Sequence, residues 1–125
     1  YGGSSPGLVK SRNYKKYRKK LEVLFKRFRS KKIIFVSHNV PYNTRLDKIG
    51  QHAHIAVRGK HYGSKLIRRV IDRWQPLVYI GGHIHEGRGK QMLGKTVCVN
   101  PGAAHEGQAA VITLDAEKVK VTFIN

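Results

Sequence analysis

The chain has seven histidines in 125 residues, and three of them stand where folding can bring them together. His38 follows the apolar run Ile33-Ile34-Phe35-Val36. His83 and His85 follow Leu77-Val78-Tyr79-Ile80, across Gly81-Gly82. Neutral imidazole is a common ligand for divalent transition metals, and two or three of them at one point make a metal site. Residues two apart in an extended chain point the same way, so His83 and His85 are expected to converge. The glycines before them let backbone approach closely. The alternative is that all three are polar loop residues, and an H-x-H pair by itself says little.

These histidines need rigid elements behind them. Ile33–Val36 reads as a short buried strand that stops at Ser37-His38-Asn39-Val40-Pro41. Ser64 is a good N-cap for a helix with Leu66, Ile67, Val70, Ile71 and Trp74 on one face, and Pro76 marks its end. Leu77–Ile80 is the next strand. Strand, helix, strand makes a right-handed βαβ unit, whose parallel strands bring His38 and His83 to the same sheet edge. Thr96-Val97-Cys98-Val99 is a third strand, and Ala109–Leu114 with Val119–Ile124 reads as an antiparallel hairpin across Asp115-Ala116-Glu117-Lys118. The fold class is α/β. Loops after parallel strands are where such sheets place their chemistry.

The N-terminal region differs in kind. Residues 1–13, rich in Gly, Ser and Pro, read as loop. Tyr14, Tyr17, Leu21, Leu24, Phe25 and Phe28 then recur at helical spacing through Arg29, with Asn13 as a candidate cap. The outer face of this helix is densely basic. Residues 1–32 hold twelve Lys and Arg against one acid, Glu22, within a net charge of +18 for the whole chain. A field of that strength attracts polyanions. With Tyr14 and Tyr17 set among Lys15, Lys16, Arg18, Lys19 and Lys20, the 14–29 helix is a candidate nucleic-acid surface, and a solvated outer face is the plainer reading.

Composition excludes several classes. At 14.2 kDa the chain makes one domain, 1–125. No apolar run approaches the roughly 20 residues of a membrane span. One cysteine, Cys98, rules out an internal disulfide framework and fits a reducing, cytoplasmic setting. Alternation with Val97 and Val99 makes it a packed core thiol, and Trp74 a helix anchor. The chain opens at Tyr1 without an initiator Met, and its one Met is Met92; a piece of a longer polypeptide is expected.

Taken together, Ser37-His38-Asn39-Val40-Pro41, Gly82-His83-Ile84-His85-Glu86 and Val99-Asn100-Pro101-Gly102 resemble the C-terminal half of a calcineurin-like metallophosphoesterase of archaeal type. Gly2-Gly3-Ser4-Ser5-Pro6 and His61-Tyr62-Gly63-Ser64 fit the same subgroup. The resemblance implies part of an αββα sandwich with a two-metal site at the strand ends. In it His38 and His83 would bind one ion and His85 the other. Two divalent ions are implied, manganese first, with iron, zinc or nickel as alternatives. They would hydrolyse phosphomonoesters or phosphodiesters by clamping the phosphate between cations about 3.5–4 Å apart. Asn100-Pro101-Gly102 would be a tight structural turn beside the site.

The family's first half carries D-x-H, G-D and G-N-H-[E/D], and none of these occurs here. Its bridging carboxylate, Asn ligand and proton-donating His are therefore expected from an N-terminal half supplied in cis or in trans. No catalytic residue is assigned in this chain, which alone should be inactive. Asn39, Tyr42, His61 and Ser64 are candidate phosphoester contacts, the last two at a helix N-terminus that favours anions. Capping alone also explains Ser64. His52-Ala53-His54 reads as a solvated loop pair, and His105 and Glu106 as loop surface. A basic nucleic-acid-binding module, or a pseudoenzyme built on a degenerate half, is the rival reading.

Overall fold

A computed structural model describes residues 12–116 and 118–125. Residues 1–11 of the expected 1–13 loop, with its Gly2–Pro6 segment, lie outside the described residues, as does Glu117 of the hairpin turn.

Helix α1 spans Arg12–Arg27. It takes in Asn13, which therefore sits inside the helix rather than capping it, and it ends before Phe28. Strand β1 runs Ile34–Asn39, helix α2 Lys65–Trp74 and strand β2 Val78–Gly82. Ser64 caps α2 as expected, its hydroxyl accepting from the Ile67 N–H. Gln75 closes the helix in the left-handed region just before Pro76. β1 pairs in parallel with β2, which pairs in parallel with β4, Thr96–Asn100. Both strands with histidines at their ends thus run the same way.

Strand β3, Gly89–Leu93, is an element the apolar pattern did not announce. It pairs antiparallel with β4 across Gly94-Lys95, giving a sheet of order β1-β2-β4-β3. Its side chains are too mixed to read as a strand, yet the signal lay in Gly94. A glycine at positive φ (59°) in first place of a two-residue loop is what a tight hairpin requires. The C-terminal hairpin, β5 Ala109–Asp115 and β6 Lys118–Ile124, forms a second, two-stranded sheet. Arg88 secures it, donating to the Ile124 carbonyl at 2.8 Å and stacking on Phe123.

The core lies between α2 and one face of the four-stranded sheet. Val40, Leu46, Ile67, Ile71, Tyr79, Ile84, Leu93 and Cys98 pack there, with Phe35 against them. Burying one such side chain fully stabilises by about 1.5–3 kcal/mol. Cys98 is the packed thiol expected, and burial pushes its pKa up to about 12.

β1 corrects the sequence reading twice. It continues through His38 to Asn39, and it is not a buried strand. Phe35 turns inward, edge-on to Phe25 of α1 and to Tyr79. Ile34 and Val36, on the other face, are 50% and 63% exposed. β1 lies at the edge of the sheet and its outer face is open to solvent, so a continuous apolar run is covered on one side only. The apolar stripe of α1 is likewise half-used: Tyr14 and Phe25 are buried, whereas Tyr17, Leu24 and Phe28 stay exposed. Trp74 stacks on Phe25 and so anchors α2 to α1. Among the described residues no helix is long and apolar enough to cross a membrane.

Candidate metal centre

The two parallel strands deliver the first pair of histidines as the topology requires. His38 Nε2 lies 3.1 Å from His83 Nδ1, with ring centroids 4.8 Å apart. Both rings are exposed. The support beneath them is not. The Tyr79 hydroxyl, on the buried side of β2, contacts Ser37 Oγ at 2.5 Å and donates to the Asn39 carbonyl, so it holds the side chain before His38 and the backbone after it. Gly81 is what permits this approach. A Cβ there would collide with the Asn39 carbonyl oxygen. β2 runs on through Gly81 and Gly82 instead of ending before them.

His83 then leaves the extended path. Its φ of 73° lies in the left-handed region, uncommon for a residue with a Cβ and costing on the order of 1 kcal/mol or more. His85 opens a 3-10 turn, His85–Gly87, with Ile84 buried between the two histidines. The same-face argument for an extended H-x-H therefore does not hold, and each ring finds its own neighbours. His83 faces His38; His85 Nδ1 lies 3.2 Å from Glu106 Oε1. Partial desolvation, then the charges of His38 and His85, lower the His83 imidazole below the ordinary histidine pKa. The shift favours the neutral form, which is the one that ligates metal.

Asn100 ties the two ends of the site together. Its Nδ2 donates to the Ile84 carbonyl at 2.7 Å, and its Oδ1 accepts from the Gly102 N–H. The Asn100-Pro101-Gly102 turn is thus the structural brace expected, directly under the His83–His85 bend. His105 and Glu106 are exposed, as read, but they are not bystanders. Glu106 reaches His85, and it also lies 3.7 Å from His105 Nε2. The three residues form a group whose donor atoms all fall within 4.8 Å of one another. Nothing in the sequence joins residue 85 to residue 106; a carboxylate and a histidine one turn beyond Asn-Pro-Gly were the available hint.

The candidate substrate contacts separate. Tyr42, His61 and Ser64 come together: the Tyr42 N–H donates to the Ser64 carbonyl, and the Tyr42 and His61 rings meet edge-on at 6.1 Å. Lys65 sits over the Tyr42 ring. Asn39 is buried, and its Oδ1 accepts from the Val40 N–H. It shapes the chain after His38 rather than facing solvent beside it.

A residue that the sequence reading passed over organises this second cluster. Asp47 is fully buried and accepts from the N–H groups of Asn43, Thr44 and Gly63, from Thr44 Oγ1, and from His61 Nδ1 at 2.7 Å. A buried carboxylate is tolerated only with such a full set of donors. It closes the long 42–63 loop onto itself. His52 and His54 lie exposed on that loop, and His54 bonds locally to the Ala56 N–H.

The donor set at the strand ends fits a divalent transition metal. Ligand atoms on a tetrahedral ion with bonds of about 2.0–2.1 Å lie roughly 3.3 Å apart. The His38–His83 nitrogens are 3.1 Å apart.

Comparison with known proteins agrees with this chemistry. The family described as metallophosphoesterase, calcineurin superfamily, matches residues 9–124. An uncharacterized protein of Methanocaldococcus jannaschii, MJ1162, is 40% identical over 73 residues, which are 57% of this chain and 31% of that protein. One solved structure matches with a TM-score of 0.63 at 26% identity, over 85% of this chain and 38% of its own. The crystal structure of TT1561 from Thermus thermophilus matches with a TM-score of 0.56 at 22% identity, over 87% and 41%, a likeness of fold alone. The chain thus spans about a third of the length of the curated relative and about two fifths of each solved one. With the family match covering nearly every residue, this chain belongs to the calcineurin superfamily of metallophosphoesterases.

Proposed function

We propose that this chain is the C-terminal part of a divalent-metal-dependent phosphoesterase that cleaves phosphomonoesters or phosphodiesters. In this reading His38, His83 and His85 are metal ligands, with two divalent ions bound in the complete protein. The carrying observation is the 3.1 Å approach of His38 and His83 at the ends of two parallel strands. Two imidazoles this close can hydrogen-bond to each other through one N–H, and the same spacing lets both turn a nitrogen to a shared cation.

A bound metal pair supplies Lewis-acid polarisation of the phosphoryl group and neutralises charge developing on it. This chain's own residues hold and aim the ligands. Tyr79 holds the Ser37 side chain and the Asn39 carbonyl on either side of His38, and Asn100 fixes the Ile84 carbonyl between His83 and His85. The strongly positive chain, at +18, attracts an anionic phosphoester. Tyr42 and the capped start of α2 lie beyond β1 as candidate phosphate contacts, while His61 is held by Asp47. Carboxylate ligands and the proton donor belong, in this proposal, to an N-terminal half acting in cis or in trans.

The test uses the complete protein with manganese and bis-p-nitrophenyl phosphate. Replacing His85 with Ala should abolish turnover while far-UV circular dichroism and thermal melting stay as in the wild type. Normal turnover in H85A would sink the proposal.

A further inference from the structure

His85, His105 and Glu106 come from two short turns that face each other. The first, His85–Gly87, is closed by the Arg88 N–H on the His85 carbonyl. The second, Ala104–Glu106, is closed by the Glu106 N–H on the Ala103 carbonyl, and the Ala103 N–H is held by Gln108 Oε1 at 3.0 Å. Asn100 sits between them, its chain continuing into the second turn and its amide bonded to the first. The two turns are therefore fixed relative to each other by a buried side chain. Their three side chains are solvent-facing.

The two separations from Glu106 are close to those of ligands around one small ion, in a group whose donor atoms all lie within 4.8 Å of one another. Glu106 Oε1 is 3.2 Å from His85 Nδ1 and 3.7 Å from His105 Nε2. These values bracket the roughly 3.3 Å between ligand atoms on a tetrahedral ion with 2.0–2.1 Å bonds. The His85 and His105 ring centroids are 5.3 Å apart, so both rings can present a nitrogen to the same point. Two imidazoles and one carboxylate, with a fourth position left to solvent, is an established ligand set for zinc. As a bare surface pair, His85 and Glu106 would contribute little to stability, since exposed ion pairs are worth about 0–1 kcal/mol. Stability therefore gives little reason for their meeting.

We infer that His85, His105 and Glu106 form a three-ligand site for a single divalent transition-metal ion, zinc in class, held by this chain's residues alone. The site shares only His85 with the dinuclear centre proposed above. It needs neither His38 and His83 nor carboxylates from another half. Glu106 supplies the negative charge that the histidine set lacks.

The experiment titrates Zn2+ into the 125-residue chain by calorimetry and Co2+ by visible absorption, which reports low-coordinate geometry. Wild type, Glu106→Gln, His105→Asn and His38→Ala are compared, each first checked by thermal melting without metal. All three sites of substitution are exposed, so the fold should survive. The wild type should bind one equivalent. E106Q retains a hydrogen-bond acceptor for His85 but is a poor ligand, so it should weaken binding at least tenfold, and H105N likewise. H38A should stay within threefold of the wild type. Unchanged affinity in E106Q and H105N, with loss in H38A, would overturn this inference and leave the proposed phosphoesterase centre standing. Absence of any Zn2+ binding to the wild type at millimolar concentration would overturn it as well.

Discussion

His38 and His61 are both histidines placed just outside regular elements or at their ends, and they have opposite electrostatic surroundings. His61 already has a buried carboxylate partner. The fully buried carboxylate of Asp47 accepts from its Nδ1 and from three backbone N–H groups, so the cluster is complete without a ligand. His38 faces another histidine at 3.1 Å, over a buried scaffold of Tyr79 and Gly81. One arrangement uses its polar groups to close a loop. The other sets two imidazole nitrogens within hydrogen-bond distance of each other, a contact that one ring's N–H can satisfy and that a shared cation can replace. The difference separates a structural histidine from a candidate ligand better than exposure does.

The comparison breaks first on activity. In the complete protein, His38→Ala should lose about 10^3-fold in kcat, or roughly 4 kcal/mol of transition-state stabilisation, with little change in melting temperature. His61→Ala should show the reverse emphasis, losing stability more than turnover. Steady-state kinetics beside thermal melts would reveal a failure if the two variants behaved alike.

Next in size is Asp47→Ala, which strands several buried donors at about 1–3 kcal/mol each before relaxation. A net loss of about 3 kcal/mol is expected from urea unfolding of the chain; less than about 1 kcal/mol would show that the cluster is not the pin of the 42–63 loop. Gly81→Ala should cost about 2 kcal/mol, because its Cβ meets the Asn39 carbonyl. Gly82→Ala should be close to neutral, its nearest neighbour being the His38 carbonyl oxygen at 3.9 Å. Equal effects at the two glycines would remove the scaffold from the account of His38. Ser64→Ala should cost about 1 kcal/mol through the lost cap of α2.

The smallest effect is on pH. His83 is held below its ordinary pKa of about 6.5, chiefly by burial and then by His38 and His85. The folded state then binds fewer protons than the unfolded one. Its stability is full above the ordinary value and falls as pH drops from there through the folded pKa. His83→Asn, which tolerates the left-handed backbone, should flatten this acid-side slope. A slope unchanged in H83N would show that another group carries it.

Much of this was legible before any coordinates. Ser64 before an amphipathic run announced α2, and the two short apolar runs announced β1 and β2, because helix caps and strand periodicity are local. The pairing of His38 with His83 followed from a single topological rule, that a strand–helix–strand unit is parallel. β3 was missed because its residues carry no period, although Gly94 marked its turn. The burial of Ile34 and Val36 was misjudged for a different reason: a run of apolar residues does not say whether the strand lies at the centre of a sheet or at its edge.

By itself, then, the sequence determined which side chains were available, which elements bear them, and the excess positive charge that draws anions. Tertiary structure alone decided their company. Asp47 and His61 are fourteen residues apart, and His85 and Glu106 twenty-one. Such contacts depend on how loops close over a packed sheet, which no local preference encodes. The left-handed bend at His83 belongs there too. It is unfavourable in isolation and persists because β2, Asn100 and the buried Ile84 hold the chain on both sides of it.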